Sequence, residues 1–294
     1  MDQDPLVSIV TPSFNSARYI ERAIESVLSQ DYPRIEYIVM DGASTDGTVA
    51  ILERYATRLQ YVSAPDAGAP DAINQGFARS RGLILAWLSA DDEYLPNAIG
   101  NAVRRLAEHP DAAVVYGEGA WVDEEGTEIG PYPTMSPYRP GMLEQECGIC
   151  QPAAFLRREA VESVGRLDPA LQFSFDYDLW IRLSQRYPFV AVPERMALSR
   201  MRRDNKTLGG RRQIFQENIA VLRRHYGYVP VNWVYGYLSF LRDGRDQFFE
   251  PLRNSAAVYS GSLIVGSFYN YRHLWRYWRE WGSRLRLENL VTTP

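Results

Sequence analysis

Leu83-Ile84-Leu85-Ala86-Trp87-Leu88-Ser89-Ala90-Asp91-Asp92 is the stretch on which the reading of this 294-residue chain turns. Six apolar side chains run unbroken from Leu83 to Leu88, and within three residues the polarity reverses to two adjacent carboxylates. A short continuous apolar run suits a strand buried on both faces of a sheet. Gly82 before it and Pro96 after it bound the run and favour strand over helix. Asp91 and Asp92 then lie just past the strand's carboxyl end, the edge where open α/β sheets place their ligands. Two hard oxygen donors, with no Cys or His cluster beside them, suit Mg²⁺ or Mn²⁺ better than zinc. The same pair also fits the polar start of a helix that Pro96 opens.

Outward from this stretch the pattern repeats. Leu6–Val10 reads as a strand running into Thr11-Pro12-Ser13-Phe14-Asn15, and Ile20, Ile24, Val27 and Leu28 then fall at helical spacing. Tyr37–Met40 reads as a second strand, ending in Asp41-Gly42-Ala43-Ser44-Thr45-Asp46-Gly47-Thr48. A helix to about Thr57 and a short strand Gln60–Val62 precede a loop with Asp66, Asp71 and Asn74, which leads into a helix ending near Arg79. A helix Pro96–Glu108 and a strand Ala113–Tyr116 follow the central strand. This alternation implies right-handed crossovers and a mainly parallel sheet. Asp41, Asp66 and the Asp91–Asp92 pair all follow strand ends, so such a sheet gathers them along one edge. Converging carboxylates are costly without a cation or ligand donors among them, which points to a ligand-binding cleft.

Beyond Tyr116 the pattern changes. Trp121–Ile129 reads as a hairpin turning at Glu124-Glu125-Gly126, and Pro131, Pro133, Pro137 and Pro140 mark an irregular loop. A strand Gln151–Leu156, a helix from Arg158, a helix opening at Asp176, and strands Phe189–Val192 and Met196–Met201 follow. Asp176 sits where a helix dipole and free N–H groups favour a carboxylate, so locally it reads as an N-cap.

Composition sets the class. Hydrophobic residues make up 46% and charged residues 23%, ordinary for a soluble globular protein. The net charge of −4 conceals an asymmetry. Residues 1–199 hold 16 Arg against 29 Asp and Glu, a net −13, whereas residues 200–294 hold 15 Arg and Lys206 against 7 acids, a net +9. An acidic body argues against a nucleic-acid partner, while the basic tail fits an anionic one. Arg200–Arg212 holds five Arg and Lys206 and reads as a mobile basic loop. In His273–Trp281, Trp275, Trp278 and Trp281 interleave with Arg276 and Arg279, a composition suited to a membrane surface or to a homo-oligomer interface. Cys147 and Cys150 lack the further ligands a zinc site needs and read as reduced thiols. Met1–Pro5 is polar and no signal peptide is visible, so a cytoplasmic chain is expected, peripheral on the inner face of the plasma membrane if the tail is interfacial.

Five stretches taken together resemble the family 2 glycosyltransferases of the GT-A fold: V-S-I-V-T-P-S-F-N-S, D-G-A-S-T-D-G-T, P-D-A-G-A-P-D-A-I-N-Q-G, W-L-S-A-D-D and F-D-Y-D-L-W-I-R-L. They occur in the family's order over about residues 5–207. The resemblance implies a Rossmann-like α/β domain over residues 1–210, with residues 211–294 a helical extension. It further implies an inverting enzyme that moves a sugar from a UDP-type nucleotide-sugar to the hydroxyl of a glycan or lipid-linked saccharide. By the same resemblance Pro12, Phe14 and Asn15 hold the nucleoside, Asp41 pairs with the base, and Asp66 lies near base and ribose. Asp71 and Asn74 belong to the donor site, Asp92 holds Mn²⁺ or Mg²⁺, Asp91 holds donor hydroxyls, and Asp176 is the catalytic base.

Two departures from the family's pattern stand out. Phe175 replaces an acid that often precedes the base, and Asp204 stands near an expected His, leaving Arg202, Arg203 and Lys206 to supply positive charge at the diphosphate. A nucleotidyltransferase would be expected to carry a Gly-rich basic loop after the first strand, which T-P-S-F-N lacks. A non-catalytic nucleotide-sugar sensor or scaffold would have no need of Asp176.

Overall fold

The computed structural model describes residues 4–202, 209–244 and 255–291, with side chains described as far as Arg284. Two compact units divide the chain: Met1–Pro140 with Gly148–Arg202, and Gly141–Cys147 with Arg203–Pro294.

The first unit opens with β1 (Val7–Ser13), α1 (Ile20–Leu28), β2 (Ile35–Asp41), α2 (Thr48–Arg54), β3 (Gln60–Ser63), α3 (Ala69–Arg79) and β4 (Ile84–Trp87). These four strands pair in parallel in the order β3-β2-β1-β4. The central strand is shorter than its apolar run, because Leu83 is 56% exposed ahead of the pairing with Val7. Both of its faces are buried. Ile84, Ala86 and Leu88 join Ile20, Ile24 and Ile99 in one core, while Trp87 stacks on Trp180 at 5.5 Å and meets Phe77 edge-on.

The sheet then turns mixed. After β5 (Glu93–Tyr94) and α4 (Ala98–Glu108) come β6 (Val114–Val122) and β7 (Glu128–Pro131), the hairpin expected around Glu124. The second unit's α5 (Met142–Gln145) intervenes before β8 (Ala154–Arg157), α6 (Arg158–Val164), α7 (Phe175–Ser184) and β9 (Phe189–Arg200). β8 joins β4 and β6 antiparallel, β6 runs parallel to β9, and β5 closes onto β9 antiparallel. The sequence predicts two strands where β9 is one. Pro193 is accommodated at a bulge, where the register moves from Tyr116↔Ala191 to Glu118↔Arg195. Gly117 permits it, since a Cβ there would lie 2.5 Å from the Glu194 carbonyl oxygen.

One buried carboxylate ties β1, β2 and the entry to β4 together. Glu36 accepts from Ser8 Oγ (2.6 Å), Arg81 N–H (2.7 Å) and Arg81 Nε (3.0 Å). Burial pushes its carboxyl up, but these hydrogen bonds outweigh burial and hold it below the usual range. A depressed folded value gives stability that is present above the ordinary glutamate pKa and is lost as pH falls through the folded one. Glu36→Gln is therefore expected to cost about 1–3 kcal/mol at neutral pH. In urea melts the gap to the parent should close below about pH 4.

The second unit contains α8 (Arg211–Tyr226), α9 (Val231–Asp243), α10 (Ala256–Tyr269) and α11 (Leu274–Val291), together with α5. Gly141–Cys147 joins this unit through Asn232 Nδ2, which donates to the Gln145 carbonyl, and through the ion pair of Arg276 with Glu144. Among the described residues, no helix is long and apolar enough to cross a membrane.

Candidate active site

The loops leaving β1, β2 and β3 are laced together at the sheet's carboxyl edge. Asn15, in the left-handed region at φ 46°, donates its N–H to Ser44 Oγ (2.7 Å) and accepts from Thr45 N–H (2.9 Å). Asn tolerates that conformation better than most side chains. Asp46 accepts from Ala17 N–H at 2.9 Å, and Thr48 Oγ1 accepts from Ser16 N–H at 2.9 Å. Pro12 is half-buried within β1, and Phe14 stands exposed at the tip. Asp41 is buried at the end of β2. Its Oδ2 accepts from Ser44 N–H (3.0 Å) and Ser63 Oγ (2.6 Å), and its Oδ1 accepts from Ser44 Oγ.

The Asp66–Asn74 segment is built against the lead-in to α7. Asp66 is exposed and accepts from Gly68 N–H (2.8 Å), while Asp71 accepts from Ala67 N–H (3.1 Å) and Gln75 Nε2 (3.0 Å). Both ends of the Asn74 amide are spent on Leu167, Nδ2 donating to its carbonyl (2.8 Å) and Oδ1 accepting its N–H (3.1 Å). Gln172 Nε2 donates to the Ala67 carbonyl at 3.2 Å. Gly68, at φ +106°, leaves the room that the Gln172 side chain fills, since a Cβ there would lie 2.3 Å from its Oε1. Asn74 therefore latches the loop that precedes Asp176, a structural duty that the resemblance did not assign to it.

Asp176 is not the N-cap. Ser174 holds that position, and Asp176 lies in the first turn of α7, half-buried, with Oδ1 accepting its neighbour's N–H at 2.7 Å. Two residues on, Asp178 is buried against Arg182 Nε at 2.7 Å, and the rest of that guanidinium binds the carbonyls of Val164, Gly165 and Arg166. The base candidate thus stands on a helix anchored to α6.

Asp91 and Asp92 differ sharply. Asp92 is only 7% exposed, and its Oδ1 accepts from Arg200 N–H at 2.9 Å, which joins it to the end of β9. Burial first, and then the Asp91 charge, push its carboxyl well above the usual range. The Asp91 side chain is 20% exposed and pairs through Oδ2 with Arg202 at 3.1 Å. Burial raises it as well, against the opposing pull of Arg202. Among the described residues, no group of three or more His, Cys, Asp and Glu is arranged to hold a metal ion. Two adjacent, poorly compensated carboxylates nevertheless fit an ion of the Mg²⁺ type, which binds through one or two carboxylates and draws its other ligands from water and substrate phosphates.

Arg200 departs from the expectation of a mobile basic loop. It is the last residue of β9 and is buried, with its donors consumed by the Asp91 carbonyl (3.1 Å), the Asp123 carbonyl (2.7 Å), the Glu124 carbonyl (3.1 Å) and the Glu93 carboxylate. It fixes the backbone that presents Asp91. The Tyr19 ring, at the start of α1, lies under the guanidinium carbons of Arg18, Arg200 and Arg202 at 5.0, 5.4 and 4.8 Å. The sequence signals neither role, because a strand-end Arg before a basic run looks solvated. Arg203, Asp204 and Lys206 lie outside the described residues. Neither cysteine is in a disulfide, and burial raises the Cys150 thiol, as expected of an inert reduced group.

Comparison with known proteins places this geometry in a family. The model of glycosyl transferase family 2 matches residues 8–165, more than half of the chain, and the chain belongs to that family. Chondroitin synthase of Escherichia coli is 30% identical over 188 residues, 63% of this chain and 27% of that protein. Staphylococcus aureus TarS 1-349 in complex with UDP-GlcNAc superposes with a TM-score of 0.60 at 14% identity, covering 89% of this chain and 81% of the other. The mannosyltransferase PcManGT of Pyrobaculum calidifontis, in complex with GDP-Man and Mn²⁺, gives 0.59 at 19% identity over all of this chain and 77% of its own. These likenesses establish the GT-A fold. The chain spans from 27% to 58% of the length of the first curated relatives it matches.

Proposed function

We propose that this chain is an inverting glycosyltransferase that transfers a sugar from a nucleoside-diphosphate sugar to a hydroxyl of a glycan or lipid-linked saccharide. The observation that carries the reading is the single sheet edge at which the loops of β1, β2 and β3 are hydrogen-bonded together and the Asp91–Asp92 pair is pinned to β9. Neighbours of the same fold bind UDP-GlcNAc and GDP-Man, and one relative is named for polysaccharide synthesis, which supports the donor and acceptor classes.

Within this reading the residues divide the work. Pro12, Phe14 and Asn15 form one wall of the nucleoside site. Asp41 shapes it through Ser44 and Ser63, and the exposed Asp66 and half-buried Asp71 make the direct polar contacts to base and ribose. A UDP-type base remains the reading. Asp91, the more open of the pair, is the better metal ligand, and Asp92 behind it holds the loop to β9, reversing the roles the resemblance implied. A divalent cation bound there neutralises charge that builds on the departing diphosphate. Arg202, with Arg203 and Lys206 beyond it, donates charge-assisted hydrogen bonds to the same diphosphate. Asp176 takes the proton from the attacking acceptor hydroxyl.

A thermal-shift screen of UDP-, GDP- and CDP-sugars tests the donor class. A UDP-sugar is expected to raise the melting temperature most, by the increment that ligand binding to the folded state alone produces, and more with Mn²⁺ than without it. No shift with any nucleotide-sugar in Mn²⁺ would refute the reading, and a GDP-sugar preference would refute the base assignment.

A further inference from the structure

The second unit carries a surface that sugar transfer does not explain. Along α10 and the turn into α11, Ile264, Phe268, Tyr271, Trp275 and Trp278 are 47–79% exposed. Ile264 and Phe268, four apart, share a side of α10, Trp275 and Trp278, three apart, share a side of α11, and Tyr271 stands in the turn between them. Trp278 Nε1 donates to Ser267 Oγ (2.8 Å), joining the α11 aromatics to the Ile264–Phe268 stripe of α10.

The corner is rigid beneath this face. Tyr277 is fully buried, with its ring against Gly266 and its hydroxyl donating to the Ser262 carbonyl at 2.8 Å. Asn270 bridges to Val229 through its N–H (2.7 Å) and carbonyl (2.9 Å). The exposed rings are thus held in place on a packed scaffold.

The charge beside the rings is predominantly positive, although Arg276 is paired with Glu144. Residues 256–284 hold Arg272, Arg276, Arg279 and Arg284 against Glu280 alone, and Glu280 is engaged by Tyr228 Oη and Val231 N–H. A cavity of about 680 Å³ opens next to Trp275, lined by Arg276, Arg279 and Arg284, with Glu280, Ser283 and Gln145 also on its wall.

We propose that this α10–α11 face docks on an anionic lipid bilayer, with the aromatic stripe entering the interface and the arginine-lined cavity taking lipid phosphate headgroups. Exposed Trp, Tyr and Phe flanked by Arg are matched to the interfacial zone, and arginines near an anionic leaflet are each attracted to it. A second copy of the chain fits less well, because a two-fold contact through this face sets the four arginines against the same four of the partner. The contact is peripheral, in keeping with the lack of a spanning helix among the described residues. The inference does not rest on the sugar-transfer reading.

Co-sedimentation of the full chain with phosphatidylcholine vesicles, with and without ~30% phosphatidylglycerol, tests it. Binding is expected on the anionic vesicles only, falling as salt rises and unaffected by free glycerol phosphate. The triple variant Ile264→Ser/Phe268→Ser/Trp275→Ser is expected to lower the partition coefficient at least about tenfold. Arg272→Gln/Arg279→Gln is expected to flatten its salt dependence. In the unmodified chain, brominated phosphatidylglycerol should quench tryptophan emission, a readout that needs no variant. Equal partition of parent and triple variant, unquenched emission, or a lipid-free dimer that the triple variant converts to monomer would each overturn the proposal.

Discussion

Asp176→Asn is expected to lower kcat for sugar transfer by about 10²–10⁴-fold, the usual contribution of a positioned general base, with donor affinity unchanged. The asparagine retains the shape and the Oδ1 acceptor that meets the Tyr177 N–H, so the first turn of α7 stays intact. What it lacks is a group that can accept the acceptor's proton. Direct titration of the donor separates the two effects: a loss of transfer at constant affinity supports the base role, whereas a parallel loss of both makes Asp176 a donor-binding residue. The acidic limb of the kcat/KM profile should also vanish in the variant, which a merely structural carboxylate would not produce. A single base acting on the incoming hydroxyl implies in-line displacement, so proton NMR of the parent's product should show the anomeric configuration inverted. Retention would remove Asp176 from this role whatever the variant does.

Much of this site is legible in the sequence because its signals are local. A strand buried on both faces needs an unbroken apolar run, and β4 provides one from Ile84 to Trp87 with acids immediately beyond. The parallel run of β1 to β4 follows from the strand–helix alternation, whereas their order β3-β2-β1-β4 does not. Less visible is whatever depends on a distant partner. Arg200 is buried because Glu93 and three carbonyl groups, 76 to 109 residues away, surround its guanidinium. Asn74 looks like a site residue, yet its amide is consumed by Leu167, 93 positions on. Gly141–Cys147 sits inside a proline-rich loop by sequence but belongs to the second unit, through Glu144 and Gln145. Pro193 ends a strand in any pattern-based reading, and only the bulge opposite Gly117 lets β9 continue through it.

The same distinction decides between the paired acids. The resemblance gives the metal to Asp92, whereas β9 closes over Asp92 through the Arg200 N–H and leaves Asp91 at the rim. Asp91→Asn is therefore expected to abolish the Mn²⁺-dependent part of donor binding and the Mn²⁺-induced rise in melting temperature, weakening the donor at least about tenfold in saturating metal. Asp92→Asn is expected to keep both responses, because an amide oxygen can still accept from Arg200. The variants should also differ without metal. A buried carboxyl whose folded pKa is raised costs stability that grows as pH rises from its ordinary value to the raised one and then levels off. Burial and the Asp91 charge raise Asp92 in this way, so Asp92→Asn should melt above the parent at pH 8, with the gap closing toward pH 4. Mn²⁺ should stabilise the parent more at pH 8 than at pH 5, since the ion needs the deprotonated Asp91 carboxylate, which burial raises. If Asp92→Asn loses the metal response while Asp91→Asn retains it, the ion belongs to the buried acid and β9 must open to admit it.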